Sequence, residues 1–279
     1  MKIKGMIKKE RLDKLIVDRG LLDSREIAKG YIMANLVKVN GVTINKSGMK
    51  CNIDCELTVK RDDSRFVSRG GIKLEKALTA FNIEVNGKTI IDVGASTGGF
   101  TDCLLKHGAK KVYCVDVGYG QLDWTLRQDS RVINMEKTNI RYSNKDQFDC
   151  LFDLATVDVS FISLEKVLPV LAGLLKTEGE VVALVKPQFE AGRKFVKKGG
   201  IVDNPGIHQE VIVNLIEQTK SDWQFLNITF SPIKNSPGNI EYLIYLVKNE
   251  GDNNLTLKHI NQIKRVVDEA HYYFLNKSL

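Results

Sequence analysis

Apolar residues recur along this chain at two spacings, and the spacing changes with position. Over residues 10–19, Leu12, Leu15 and Ile16 fall three to four apart, and Gly20 follows as a stop, which predicts a short helix. A second helix begins at Asp23-Ser24, where Glu26 completes a capping-box spacing with Asp23, and runs through Ile27, Ala28, Tyr31 and Ile32 to about residue 34. Alternation then replaces helical spacing. Val37-Lys38-Val39 and Val42-Thr43-Ile44 flank Asn40-Gly41, a hairpin signal, and 56–60 reads as one more strand.

From about residue 66, short β-branched runs alternate with helical stretches. Strands are predicted at 89–93, 111–115, 154–157, 179–185, 225–230 and 241–247. Helices are predicted at 74–81, 99–107, 163–175, 205–219 and 256–275. The last of these carries Leu257, Ile260, Ile263 and Val267 on one face. Strands alternating with helices predict a doubly wound α/β sheet, on which ligands bind beyond the carboxyl ends of the strands.

Composition adds domain organisation. The 279 residues are 43% hydrophobic and 27% charged, a globular balance. The first 69 residues hold 16 basic and 9 acidic side chains, so they carry the whole net charge of +7. A basic module on a neutral body suits a polyanionic partner; a solubilising face is the alternative. Boundaries are expected at 1–60 for the module, 61–66 for a charged linker, 67–250 for the body and 251–279 for a helix packed on it. No apolar run nears the ~20 residues of a spanning helix. The basic start, Met1-Lys2-Ile3-Lys4-Gly5, lacks the apolar core of a signal peptide, so a cytoplasmic protein with no membrane partner is expected. Five scattered cysteines and four unclustered histidines give no complete metal set, so no metal is expected.

Two features point to chemistry. The first is Asp92-Val93-Gly94-Ala95-Ser96-Thr97-Gly98-Gly99-Phe100, a glycine loop after a strand and before a helix. It is neither the dinucleotide fingerprint nor a phosphate loop, and no lysine follows it. With Asp116 at the end of the next strand to meet a ribose diol, it suits a nucleoside carrying little phosphate; a plain turn is the alternative. The second is a set of charges in apolar settings. Asp158 and Lys186 sit at strand ends, Glu241 opens a strand, and Lys73 lies just before a helix. A single lysine at a strand end often only snorkels to water, but four charges of mixed sign weaken that reading. Residues 190–200 mix glycine, aromatic and basic side chains; they read equally as a loop meeting RNA phosphates and as a solvated loop.

Two resemblances sharpen this. Arg11-Leu12-Asp13-Lys14-Leu15, Ser24-Arg25 and Val37-Lys38-Val39-Asn40-Gly41 resemble the alpha-L RNA-binding domain over about residues 8–60. That resemblance implies RNA contacts from Arg11, Lys14, Arg25, Lys29, Lys38 and Lys46, with Arg65 and Arg69 beyond. The quartet Lys73, Asp158, Lys186 and Glu241, together with the glycine loop, resembles the FtsJ-like ribose 2′-O-methyltransferases. Ser68-Arg69-Gly70-Gly71-Ile72-Lys73-Leu74 and Val185-Lys186-Pro187-Gln188-Phe189-Glu190 look like the TlyA branch, often labelled haemolysins, which methylates cytidine riboses in ribosomal RNA of both subunits.

The resemblance implies a Rossmann-like methyltransferase sheet with a small α+β RNA-binding domain before it. S-adenosylmethionine would be the methyl donor and ribosomal RNA within ribosomal subunits the partner. Gly94, Ser96 and Gly98 would line the donor's methionine side and Asp116 its ribose. Asp92, Thr97, Gly99, Phe100 and Asp158 complete the expected cofactor set, with Asn139 in a loop closing on adenine. Lys186 would act as base, its pKa lowered by burial or by a neighbouring cation, which Lys73 could supply while orienting the 2′-oxygen; the carboxylates oppose that shift. Asp158 would position Lys186 and lie near the sulfonium, and Glu241 would hold Lys73 or the ribose. A non-catalytic ribosome-assembly factor and a membrane-lytic protein remain the competing classes.

Overall fold

A computed structural model describes residues 9–276, apart from 23, 34, 60–64, 236, 237, 250 and 252. Asp23 and most of the expected linker therefore lie outside the described residues. The chain divides into two compact units, Met1–Asp63 and Ser64–Leu279.

The first unit holds β1 (Lys9–Arg11), α1 (Leu12–Asp18), α2 (Arg25–Met33), β2 (Val37–Val39), β3 (Val42–Thr43), β4 (Lys50–Asn52) and β5 (Leu57–Val59). The hairpin forms as its sequence predicts. Val39 pairs with Val42, and Asn40 and Gly41 take positive φ of 49° and 80°, the turn that matches strand twist. At the start of α2, Ser24 Oγ accepts the Ile27 N–H at 3.2 Å. Strand β2 joins β3 and β5, while β1 pairs with β4. Leu12, Leu15 and Ile16 of α1 pack with Ala28 and Ile32 of α2 over Val37, Val39, Cys51 and Cys55. The two cysteines are core side chains, and no metal-holding group of His, Cys, Asp or Glu occurs among the described residues.

One residue in this apolar layer is an acid. Asp13 is fully buried, and its carboxylate accepts from Arg11 Nε and Nη2 at 3.0 Å and from Arg25 Nη2 at 2.9 Å. The two guanidinium groups hold its carboxyl well below the usual carboxylate range.

The second unit begins with α3 (Gly70–Phe81). It continues through β6 (Thr89–Val93), α4 (Gly99–Lys106), β7 (Lys111–Val115), α5 (Trp124–Gln128), β8 (Val132–Met135), β9 (Phe152–Val157), α6 (Leu168–Leu174) and β10 (Leu175–Val185). It ends with α7 (Pro187–Glu190), α8 (Pro205–Thr219), β11 (Trp223–Phe230), β12 (Tyr242–Lys248) and α9 (Leu257–Asn276). Seven strands form one sheet in the order β11-β12-β10-β9-β6-β7-β8, with β12 antiparallel to both neighbours. Alternation along the strands splits the core. Ile90, Leu154, Val182 and Leu184 face α3 and α4, whereas Ile91, Ala155, Val181 and Ala183 face α6, α8 and α9. No helix among the described residues is long and apolar enough to cross a membrane.

Three expectations need correction. Lys73 lies inside α3, which starts at Gly70 rather than at Leu74; in its first turn Gly70 packs on Gly99 and Phe100 of α4, and Gly71 on Phe66. The stretch 163–175 is a 3-10 turn at Leu164–Lys166, then α6 with proline in its first turn, and Leu175 already opens β10. In α9 the buried face is Ile263, Val266, Val267, Ala270 and Phe274, while Leu257 and Ile260 are exposed at the first turn.

Removing the buried acid leaves two cations over an apolar layer. Asp13→Ala is therefore expected to destabilise the amino-terminal unit by about 3 kcal/mol. Hydrogen exchange on the full chain reads this as amide exchange in α1 and α2 faster by about a hundredfold, with β6 and β9 unchanged.

Candidate active site

The site is built where β6, β7, β9 and β10 end. Strand β6 delivers Asp92 into the core, where Oδ2 accepts Thr101 Oγ1–H from α4 at 2.6 Å and Oδ1 accepts Thr156 Oγ1–H from β9 at 2.9 Å. Burial pushes the Asp92 carboxyl up to about 6. This residue ties three elements together behind the glycine loop and does not line the cavity in front of it.

The loop then turns sharply. Gly94 has φ of 82°, and a Cβ there would lie 2.5 Å from the Asp158 carbonyl oxygen, so only glycine lets the ends of β6 and β9 approach this closely. Ser96 takes a φ of 49°, rare outside glycine, and its N–H donates to Asp116 Oδ2 at 2.8 Å. The Gly118 N–H donates to Asp116 Oδ1 at 2.7 Å. Two backbone donors thus fix the Asp116 carboxylate, and each of its oxygens keeps a lone pair for another partner.

In front of this loop opens a cavity of about 460 Å³. Gly94, Ser96, Asp116, Asn139 and Asp158 line it with apolar Val117, Val159, Ile140 and Ile162. Asn139 lies in the loop after β8, which Thr138 N–H ties to Asp116 O at 2.9 Å. The expected cofactor residues therefore divide. Thr97 is exposed at the turn but does not line the cavity. Gly98 packs under Leu122 and Leu126, Gly99 against Ser68 and Gly70, and Phe100 in the core. These three shape the loop from behind. Arg141, Gln121, Ser160 and Phe161 also line the cavity and carry no periodic signal; Arg141 lies in a 3-10 turn at Ile140–Tyr142 and the others in loops.

The four dispersed charges form two ion pairs. Lys186 Nζ lies 2.6 Å from Asp158 Oδ1 and donates to Ser160 Oγ at 2.9 Å. Lys73 Nζ lies 2.6 Å from Glu241 Oε2. Strand register explains the convergence. Parallel pairing sets Ala183 beside Val157, and antiparallel pairing sets Val185 beside Tyr242. Asp158, Lys186 and Glu241, at or just beyond these pairs, therefore share one sheet edge, and α3 brings Lys73 to it. Glu241 is fully buried; Oε2 holds Lys73, and Oε1 has no hydrogen-bond partner among the described residues. Each lysine thus has its own carboxylate. The Lys73 ammonium is balanced by Glu241, one of the two partners expected for that acid.

The expected RNA contacts differ in how free they are. Arg11 and Arg25 are engaged by Asp13, Lys14 pairs with Glu10 at 2.7 Å and Lys29 with Glu26 at 3.7 Å. Lys38 and Lys46 are exposed. Arg65 pairs with Glu75 at 2.6 Å, and Arg69 donates to the Lys234 carbonyl at 2.8 Å. Asp13, which organises Arg11 and Arg25, was missed; its one signal is an acid inside the apolar face Leu12–Ile16.

Comparison with known proteins identifies the family of each unit. Residues 66–248 match the FtsJ-like methyltransferase family, and residues 10–54 match the S4 domain. A Bacillus subtilis protein provisionally named the rRNA methyltransferase YqxC is 51% identical over 267 residues, 95% of each chain. The 16S/23S rRNA (cytidine-2′-O)-methyltransferase TlyA of Mycobacterium tuberculosis is 39% identical over 268 residues, 95% of this chain and 100% of that protein. A solved Streptococcus thermophilus structure, provisionally named a hemolysin, is 46% identical with a TM-score of 0.77, covering 98% of this chain and 99% of that one.

Asp92 gives a pH test. Its carboxyl is raised from 3.8 to about 6, so the folded protein holds this proton more tightly than the unfolded chain. Its contribution to stability is accordingly present below the lower value and lost as pH rises through the upper one. Asp92→Asn is expected to remove that contribution, visible as a urea midpoint that falls less over this window than the wild-type midpoint does.

Proposed function

The chain belongs to the FtsJ-like methyltransferase family, in its TlyA branch, and from that premise we infer that it methylates the ribose 2′-hydroxyl of cytidine in ribosomal RNA, using S-adenosylmethionine. The observation that carries this reading is the Lys186–Asp158 pair, whose carboxylate also lines the cavity. We read residues 1–60 as the RNA-recognition module and 67–250 as the catalytic body, with ribosomal subunits in the cytoplasm as the substrate.

The cavity fits the proposed donor. A carboxylate held by two backbone N–H groups suits a ribose diol, apolar walls suit a flat base, and Asp158 gives a sulfonium a negative neighbour. Gly94, Ser96 and Asp158 would hold the methionine side, Asp116 the ribose, and Asn139 with Ile140 the base. When bound, the donor supplies a methyl group on cationic sulfur, which departs as a neutral thioether once the methyl has moved.

The remaining chemistry belongs to the protein. A ribose hydroxyl is a weak nucleophile, and its proton must leave as the new O–C bond forms. Lys186 Nζ stands beside the cavity-lining carboxylate and is our candidate acceptor of that proton. The Lys73 ammonium orients the 2′-oxygen, and Glu241 holds Lys73 in place. Holding the two reacting atoms in line supplies much of the rate.

A purely RNA-binding role gains nothing from two half-buried ion pairs, whose partial desolvation carries a cost. Lys186→Ala is expected to keep S-adenosylmethionine affinity within about twofold by calorimetry and to lose at least about a hundredfold in methyl transfer to unmodified ribosomal subunits. Wild-type turnover by this variant contradicts the base assignment. Asp116→Ala is expected to weaken donor binding by about tenfold or more, since it removes a charged hydrogen-bond acceptor. Unchanged affinity rejects the ribose contact.

A further inference from the structure

The segment from Glu190 to Asp203 leaves the Lys186 strand end through α7, and the reaction as derived above does not use it. It is fastened at both ends to the elements that carry the catalytic charges. At its start, Glu190 Oε2 accepts Ser163 Oγ–H at 2.6 Å and Oε1 accepts Leu164 N–H at 2.9 Å, which ties α7 to the loop following Asp158. At its far end, Asn239, which is buried and two residues before Glu241, accepts Val202 N–H at Oδ1 and donates from Nδ2 to Gly200 O, both at 2.9 Å. Buried His208 lies 2.9 Å from Val202 O through Nε2 and 2.8 Å from the Tyr242 hydroxyl through Nδ1. Three polar side chains are thus committed to fixing one surface segment against the Lys186 and Glu241 strand ends.

Between these anchors the chain forms a tight hairpin. Lys197 N–H donates to Ile201 O at 2.9 Å, and Gly199 and Gly200 take positive φ. Lys197 is balanced by Asp203 at 2.7 Å. Arg193, Lys194 and Lys198 are exposed, and none has an ion-pair partner among the described residues, in contrast to both tetrad lysines. A Cβ added at Gly192, Gly199 or Gly200 meets nothing within 4 Å, so the backbone beside these cations is open to close approach. A merely solvated loop has no need of buried anchors. An anion-binding edge does, because prior rigidity lowers the entropy lost on binding.

We propose that the anchored hairpin edge at 192–200 is a preset contact for the rRNA phosphate backbone, with Arg193, Lys194 and Lys198 as its cations. This rests on the reading of the chain as an rRNA methyltransferase, and it names a part of the substrate surface outside the amino-terminal module. Its role is to hold the RNA strand at a fixed offset from Lys186 and Glu241.

The test uses the full chain with all three cations neutralised, R193Q/K194Q/K198Q. A control triple with the same charge change, K258Q/K264Q/R265Q, lies on α9. Methyl transfer to unmodified ribosomal subunits is measured across salt concentrations. The hairpin triple is expected to raise KM for subunits by about tenfold and to reduce the salt dependence of log kcat/KM by about two. Saturated kcat and S-adenosylmethionine affinity should stay within about twofold, and the control triple should match wild type. A hairpin triple whose KM and salt slope equal those of wild type, or of the control triple, overturns the proposal. The methyltransferase reading survives that outcome, since it fails only if the wild-type protein itself transfers no methyl group.

Discussion

A charge that leaves water needs a partner of opposite sign, and this requirement organises the catalytic unit. Lys186 and Asp158 leave neighbouring parallel strands at the same edge of the sheet and pair at 2.6 Å. Lys73 and Glu241 meet the same requirement from α3 and the start of β12. Neither pair is needed to fill the core, which is complete on both sheet faces without them. Strand register brings Asp158, Lys186 and Glu241 to one sheet edge, where Asp158 also lines the cavity. The Asp158 carboxylate serves both sides at once, as partner to Lys186 and as cavity wall.

The glycine loop does the geometric work that makes this sharing feasible. At Gly94 any side chain would collide with the Asp158 backbone, so the missing Cβ brings the acid to the loop. The buried Asp92, held by hydroxyls from α4 and β9, fixes the loop from behind, and Asp116 receives two backbone N–H groups in front. Rigidity is thus supplied before any ligand arrives, the condition under which positioning contributes most to rate.

Much of this was legible in the sequence because strong local signals agreed with the tertiary outcome. The strand at Thr89–Val93, the Asn40-Gly41 hairpin and the proline-started helix Pro205–Thr219 formed where periodicity and turn chemistry put them. Three distant charges at strand ends and one beside a helix were readable as one constellation because each stood against an apolar background. The failures have physical causes. The helix expected from Leu74 starts instead at Gly70, where a Cβ on Gly71 would collide with the Phe66 ring, so packing overrode the low helix propensity of glycine and placed Lys73 inside the helix. Gly99 and Phe100 belong to the same motif as Gly94 but face backward, and sequence alone does not say which side of a turn a residue presents. Arg141 and Gln121 reach the cavity from a 3-10 turn and a loop, neither with periodicity. The face of α9 was misjudged because its first turn is exposed, so Leu257 and Ile260 looked like core.

The proposed reaction turns on one contact: Lys186 Nζ is the group that meets the reacting ribose oxygen beside Asp158. A crystal structure of the protein with a non-reactive amine analogue of S-adenosylmethionine and a cytidine-containing oligoribonucleotide tests it most directly. The expected result has the analogue's ribose diol on Asp116, its cationic centre against Asp158, and the target 2′-oxygen within about 3.2 Å of Lys186 Nζ. A complex with the analogue in the cavity, but with the 2′-oxygen held by other groups and Lys186 still closed on Asp158 and Ser160, contradicts it.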